Sequence, residues 1–281
     1  MRNRKRTGWH RYFNGVSLST FLVVLFIGLP LYWMIISSFK SPVNLTVDPP
    51  QYFPHPLSVS NYKYAFVTYD FGIYFRNSLI ITVIATGLVL VMGTLAGYAL
   101  GRLPMRGKFT LLVVLLMISV FPEIALIAPL YLLLRHLDWL NSYQALIIPY
   151  AAFNLPFAIW ILRNYMLGIP KEMEETGRID GASPLRTVWS IILPQALPGI
   201  FTAGIFCFTA CWTEFLMALT FNISNNFRTI PVGISQFGTP DITPYATIFS
   251  AAVVATVPIG ILVFIFRKFV ISGLTSGAVK G

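Results

Sequence analysis

Six apolar runs constrain this chain more than any other feature of it. They fall at about 17–38, 77–100, 109–133, 144–167, 199–221 and 245–266. A run such as 17–38 extends roughly 33 Å as a helix, enough to cross the hydrocarbon core of a bilayer. Backbone N–H and C=O groups in lipid must be satisfied within the segment itself, so each run predicts a helix. The expectation is an all-α integral membrane protein with six transmembrane helices. Residues 1–16 then form a cytoplasmic N-terminal tail, 17–267 the membrane domain and 268–281 a cytoplasmic C-terminal tail. Apolar residues make up 56% of the chain and charged ones 11%, which leaves no polar stretch for a separate soluble domain. The first run is too long for a signal peptide and lacks a small-x-small cleavage site, so it reads as a retained span.

The distribution of lysine and arginine orients the spans. Fifteen basic residues fall in the tails and in the 101–108 and 163–186 links, and four fall on the opposite side, with Arg76 at the boundary. Positively charged loops stay in the cytoplasm. Both termini and the 169–198 segment are therefore expected inside, and the 39–75 and 222–244 segments outside. The formal net charge of +10 fits helix ends anchored to anionic lipid headgroups and does not require nucleic acid as a partner.

Residues 169–198 are the longest polar interruption in the C-terminal half, and they carry their own punctuation. Pro170 opens a helix, and Glu172, Glu174 and Glu175 crowd its first turns, where the helix dipole favours negative charge. Asp180-Gly181 closes that helix, since glycine accepts the left-handed cap. Ser183 reads as the N-cap of a second helix with Pro184 as its first residue. Pro194 and Pro198 are expected to break the chain before the next span. This predicts a structured cytoplasmic helix-turn-helix, and a structured polar element between two spans suggests a docking surface.

Catalytic chemistry finds no footing in the residues. His10, His55 and His136 are scattered, so neither a histidine-based triad nor a metal cluster is visible. Residues 101–108 echo a phosphate-binding loop, but the glycines are one residue too far apart and Phe109 stands where a magnesium-binding hydroxyl is needed. Cys207 and Cys211 read as packing residues. Ionisable residues deep in spans are costly and tend to be functional, which singles out Glu123 and Glu214 and keeps an ion-coupled carrier as an alternative.

Glu175-Thr176-Gly177, then Asp180-Gly181-Ala182, then Ile191-Ile192-Leu193-Pro194 resemble the cytoplasmic loop signature of the membrane subunits of binding-protein-dependent ABC importers. The stretches 30–40, 121–131, 212–219 and 273–281 resemble the carbohydrate-importing branch, and in it the shorter six-helix subunit of the maltose-type pair. The chain departs from that pattern at Thr176 and Gly177, where alanines are usual, at Val188, where an aromatic is usual, and at Thr213, where asparagine is common.

The resemblance implies a permease subunit that moves a sugar by alternating access and has no ATPase site of its own. Its partners would be a second permease, two ATP-binding subunits carrying ATP and magnesium, and an extracytoplasmic sugar-binding protein. It implies an ATPase-docking role for Glu174, Glu175, Thr176, Gly177, Arg178, Asp180, Gly181, Ala182, Ser183 and Pro194. Thr275, Ser276 and Gly277 would reach the ATPase from the C-terminal tail. Tyr150, Asn154, Trp212 and Glu214 are expected to line the substrate path by type and depth.

Overall fold

A computed structural model describes residues 16–239 and 242–278. The N-terminal tail, apart from its last residue, and residues 279–281 lie outside the described residues. Every regular element among the described residues is helical: α1 (Val16–Ser38), α2 (Ser60–Thr68), α3 (Phe71–Arg102), α4 (Lys108–Val120), α5 (Glu123–His136), α6 (Gln144–Gly168), α7 (Glu172–Ile179), α8 (Pro184–Thr187), α9 (Leu193–Thr213), α10 (Leu216–Phe221), α11 (Ile230–Ser235) and α12 (Tyr245–Ala278). Five helices are long and apolar enough to cross a membrane, and a sixth span results if the bent pair α4–α5 counts as one.

Two of the expected runs are corrected. The third is no straight span: α4 and α5 meet at 88° around Phe121-Pro122, where the proline interrupts the backbone ladder. The fifth begins earlier than expected. Pro194 and Pro198 do not break the chain: α8 passes through a π-helical turn at Val188–Ile192 directly into α9, with Pro194 in its first turn and Pro198 inside it. A π turn shifts the hydrogen-bond register by one residue and absorbs a missing N–H that would end a regular helix. The fifth run also stops at Thr213 and restarts at Leu216. Beyond the sixth span, the backbone of the expected tail continues α12 as far as Ala278.

The chain divides into two units. One comprises the residues up to Asp70 together with 237–255, and the other 71–236 with 256–281. In the first, the end of α1 is clamped by side chains from distant sequence. Asn61 Nδ2 donates to the Ser38 carbonyl at 3.0 Å and the Lys40 carbonyl at 2.7 Å, and Ser250 Oγ donates to the Ser38 carbonyl at 3.1 Å. These bonds satisfy carbonyls that a helix C-terminus leaves open. Lys40 is buried with its ammonium 4.1 Å from the centre of the Trp33 ring.

The second unit is organised by α3 and α6. Gly93, Gly97 and Gly101 recur every four residues and form one small-residue stripe against α6. In lipid, where apolar burial gives little drive for association, such stripes let backbones approach closely enough for packing to hold them. The approach is tightest at Gly97, where an added Cβ would lie 3.0 Å from Leu162 Cβ and 3.1 Å from the Arg163 backbone nitrogen. Gly97→Ala is expected to cost about 1–3 kcal/mol, because the neighbour that must yield is backbone. Thermal unfolding of the purified variant checks this, and an unchanged midpoint would refute the close contact.

Buried polar side chains fix the rest. Asn77, fully buried, donates to the carbonyls of Asn226 (2.8 Å) and Arg228 (3.0 Å) and accepts from Tyr143 Oη at 3.0 Å. Asn222 bonds reciprocally with Ser142 and also reaches the Phe227 carbonyl. The segment between α10 and α11 is thereby pinned to α3 and to the start of α6.

Candidate functional site

Two places in the second unit hold the residues singled out by sequence. The first is the 169–198 segment. Helix α7 begins at Glu172, two residues past Pro170, with all three glutamates in its first turn. It closes as expected: Gly181 has φ +77°, and the Ala182 N–H donates to the Gly177 carbonyl at 2.9 Å. That is the wide bond of a Schellman cap, whose left-handed position suits glycine. Ser183 Oγ accepts from the Arg186 N–H at 3.3 Å, the N-cap bond read from the sequence. Thr176 Oγ1 turns inward on its own helix and donates to the Glu172 carbonyl at 2.8 Å. Gly177 is buried against the π turn: a Cβ there would come within 2.4 Å of Ile191 Cδ1. The usual alanine would fit here only with the tip of Ile191 turned aside.

What ties this segment to the spans is Glu174. Its carboxylate Oε1 lies 3.0 Å from Arg102 Nε at the end of α3, with the two side chains 11% and 3% exposed. The N–H is not aligned as a hydrogen bond, so the attraction is one of charge. Arg102 Nη2 also donates to the Ile169 carbonyl. Nothing in the sequence marks Arg102 for this role, because it stands 72 positions from Glu174 in a basic link. The opposite face is open. Around Gly181 no atom would meet an added Cβ within 4 Å, and Ile179 (85%) and Trp189 (62%) are exposed although apolar. Glu175 and Asp180 are exposed beside them, and Pro194 lies in the first turn of α9. Arg178 and residues 275–277 are described in backbone only, so the roles expected of their side chains lie outside the described residues.

The second place is a cavity of about 100 Å³ lined by Glu123, Tyr150, Phe153, Asn154, Ala210, Cys211, Glu214 and Met217. Three of the four expected path residues meet here. Glu214 sits in the break between α9 and α10. Its Oε1 accepts from the Met217 N–H at 2.7 Å, and its Oε2 accepts from the Ala218 N–H at 3.1 Å and from Tyr150 Oη at 2.5 Å. The carboxylate therefore caps α10 and fixes Tyr150 on α6. Asn154 Nδ2 donates to the Tyr150 carbonyl at 2.8 Å and faces Cys211 Sγ at 3.7 Å. Trp212 is not in this lining. It is buried, stacked on Phe208 with centroids 5.5 Å apart and edge-on to Phe75 at 5.7 Å. No group of three or more metal-ligating side chains occurs among the described residues.

Residues 90–276, which take in the 169–198 segment and the cavity, match the family model of the binding-protein-dependent transport system inner membrane component. The chain belongs to this family. It is 37% identical over 252 residues to the sulfoquinovosyl glycerol transport system permease protein of Agrobacterium fabrum, covering 90% of this chain and 88% of that one. It is 35% identical over 267 residues to the trehalose/maltose transport system permease protein of Thermococcus litoralis, covering 94% and 95%. Among solved structures, the fold matches a bacterial ABC transporter involved in the import of the acidic polysaccharide alginate, with a TM-score of 0.78 at 20% identity over 95% of this chain and 99% of that one. As a family member, the chain is a multi-pass component of the inner membrane, and nothing supports the ion-coupled carrier alternative.

Proposed function

We propose that this chain is a permease subunit of an ATP-driven sugar importer, and that α7 with its Gly181 turn is the knob its ATPase grips. The observation that carries the reading is the 169–198 segment itself: α7 is anchored on Arg102 and Ile191, while Ile179 and Gly181 at its end and Trp189 in the π turn stand bare. An anchored polar element with an exposed apolar rim fits a protein partner better than it fits water. The chain has no ATPase site of its own on this reading, and ATP and magnesium belong to two partner ATP-binding subunits. A second permease completes the membrane assembly, and a sugar-binding protein delivers cargo from outside. Both termini are cytoplasmic, as the bias of fifteen basic residues against four supports.

Sugar cargo is supported by the two permease relatives, whose substrates carry sugar units, and by the cavity. There Tyr150, Asn154 and Glu214 place hydroxyl, amide and carboxylate groups beside the Phe153 ring, the mix that hydroxyl-rich ligands need. Closure of the ATPases would move α7, α8 and the π turn together with α3 and α9, switching the spans between inward and outward access.

Gly181→Trp tests the docking. An added Cβ meets nothing within this chain and the left-handed backbone costs about 1–2 kcal/mol, so the variant should still reach the membrane yet lose the co-purifying ATPase. Gly181→Asn, which tolerates left-handed backbone, should retain it. Normal ATPase retention and uptake in the tryptophan variant would refute the docking assignment.

A further inference from the structure

Beyond the last turn of α1 the chain turns back along the helix. Tyr32 and Trp33 lie five to six residues before Ser38, about 8–9 Å back along the helix axis. Yet Tyr52 and Phe53, well past the end of α1, pack against them. Tyr32 Oη donates to the Tyr52 carbonyl at 2.7 Å, the Tyr32 and Phe53 rings meet edge-on at 6.5 Å, and Trp33 and Tyr52 do so at 6.3 Å. The stretch 43–57 thus folds back alongside α1 to a level inside the span. The return is tied at its stem, where the Ser58 N–H donates to the Phe39 carbonyl at 2.9 Å, and across itself, where Asn44 Nδ2 donates to the His55 carbonyl at 3.3 Å.

Its outer surface is not that of a water-facing loop. Phe53 is 78% exposed and Leu57 72%. Below Tyr52 a cleft of about 460 Å³ opens between the returning strand of chain and α1, lined by Phe26, Leu29, Pro30, Tyr32, Trp33 and Tyr52. That lining is continuous with the flank of α1, of which only 6% is buried in its most apolar window. Irregular backbone is normally excluded from this depth because its N–H groups go unsatisfied. Here Pro42, Pro49, Pro50, Pro54 and Pro56 have no N–H to satisfy. Tyrosine, with an apolar ring and a polar tip, suits the boundary between headgroups and acyl chains. Asp48 and His55 are the acidic and basic residues in 43–57, and both are exposed within the Pro-rich part.

We propose that residues 43–57 lie in the membrane as a re-entrant aromatic foot, with Phe53 at the headgroup–acyl boundary and a lipid acyl chain in the cleft beneath Tyr52. The occupant is lipid because the cleft continues the bare face of a spanning helix and lies at the helix's own depth. On the orientation proposed above this is the outer leaflet, but the assignment does not depend on that orientation.

Nitroxide spin labels at Phe53→Cys and, separately, at Leu57→Cys test this in the full transporter in lipid vesicles, with unsubstituted protein as the baseline for the buried native cysteines. Collision with dissolved oxygen, which concentrates in lipid, is compared with collision with a water-soluble nickel chelate. High oxygen and low nickel collision at both sites is expected, with nickel collision several-fold below that at the exposed Lys63→Cys. High nickel collision at both sites would place the segment in water, and low collision with both reagents would place it under protein such as a second permease. Either result overturns the proposal.

Discussion

Replacing Arg102 with methionine should destabilise the protein by about 3–5 kcal/mol, because it strands the Glu174 carboxylate in a site almost closed to water. The loss exceeds what the same contact would be worth on a surface, where exposed ion pairs contribute about 0–1 kcal/mol. Uptake should fall with it, since Arg102 on α3 also holds the Ile169 carbonyl just ahead of α7. Glu174→Met alone should cost a similar amount by stranding the guanidinium. The double variant should recover most of the stability, since two apolar side chains leave no charge uncompensated. Thermal unfolding of the four proteins closes the double-mutant cycle. Strictly additive losses would mean that the two side chains do not act as a pair.

Glu214→Ala should be nearly as damaging, for a different reason. It removes one acceptor from three donors at once: the Met217 and Ala218 N–H groups and the hydroxyl of the buried Tyr150. Each stranded buried donor costs about 1–3 kcal/mol, and α10 loses its cap. Glu214→Gln keeps one carbonyl acceptor and should recover part of the loss. Combining Glu214→Ala with Tyr150→Phe should recover part as well, because the phenol then has no hydroxyl left to strand. ATP-driven uptake by reconstituted complexes provides the functional arm. It should fall in proportion to the folded fraction for Glu214→Gln and should not respond to collapse of the proton gradient. A proton-gradient dependence lost in that variant would instead assign Glu214 to ion coupling.

The parts of this fold that were legible in the sequence were those written locally. Apolar runs longer than a bilayer core fix the membrane class, and the caps at Gly181 and Ser183 are short-range chemistry that needs no tertiary context. The break at Glu214 was hidden, because Thr213 to Leu216 contains neither proline nor glycine. It exists because a carboxylate caps the next helix and is itself held by a tyrosine 64 positions away. Pro194 misled for the converse reason: a π turn just ahead of it removes the conflict that proline creates in a regular helix. The Arg102–Glu174 pair could not be read from either residue alone. The stripe of Gly93, Gly97 and Gly101 was legible by its spacing, and its partner face on α6 was not.

That stripe also sets a schedule for biogenesis. Helix α3 is synthesised well before α6, and 66 residues separate Arg102 from Gly168, the last residue of α6. At roughly 5–20 residues per second the ribosome takes several seconds to cover them. Throughout that interval Gly93, Gly97 and Gly101 have no α6 to pack against. The nascent chain is therefore most open to membrane quality control in one defined window, which closes when the glycine stripe finds its partner. A lesion on the stripe would lengthen that window and appear in cells as fewer surviving molecules, each of normal competence.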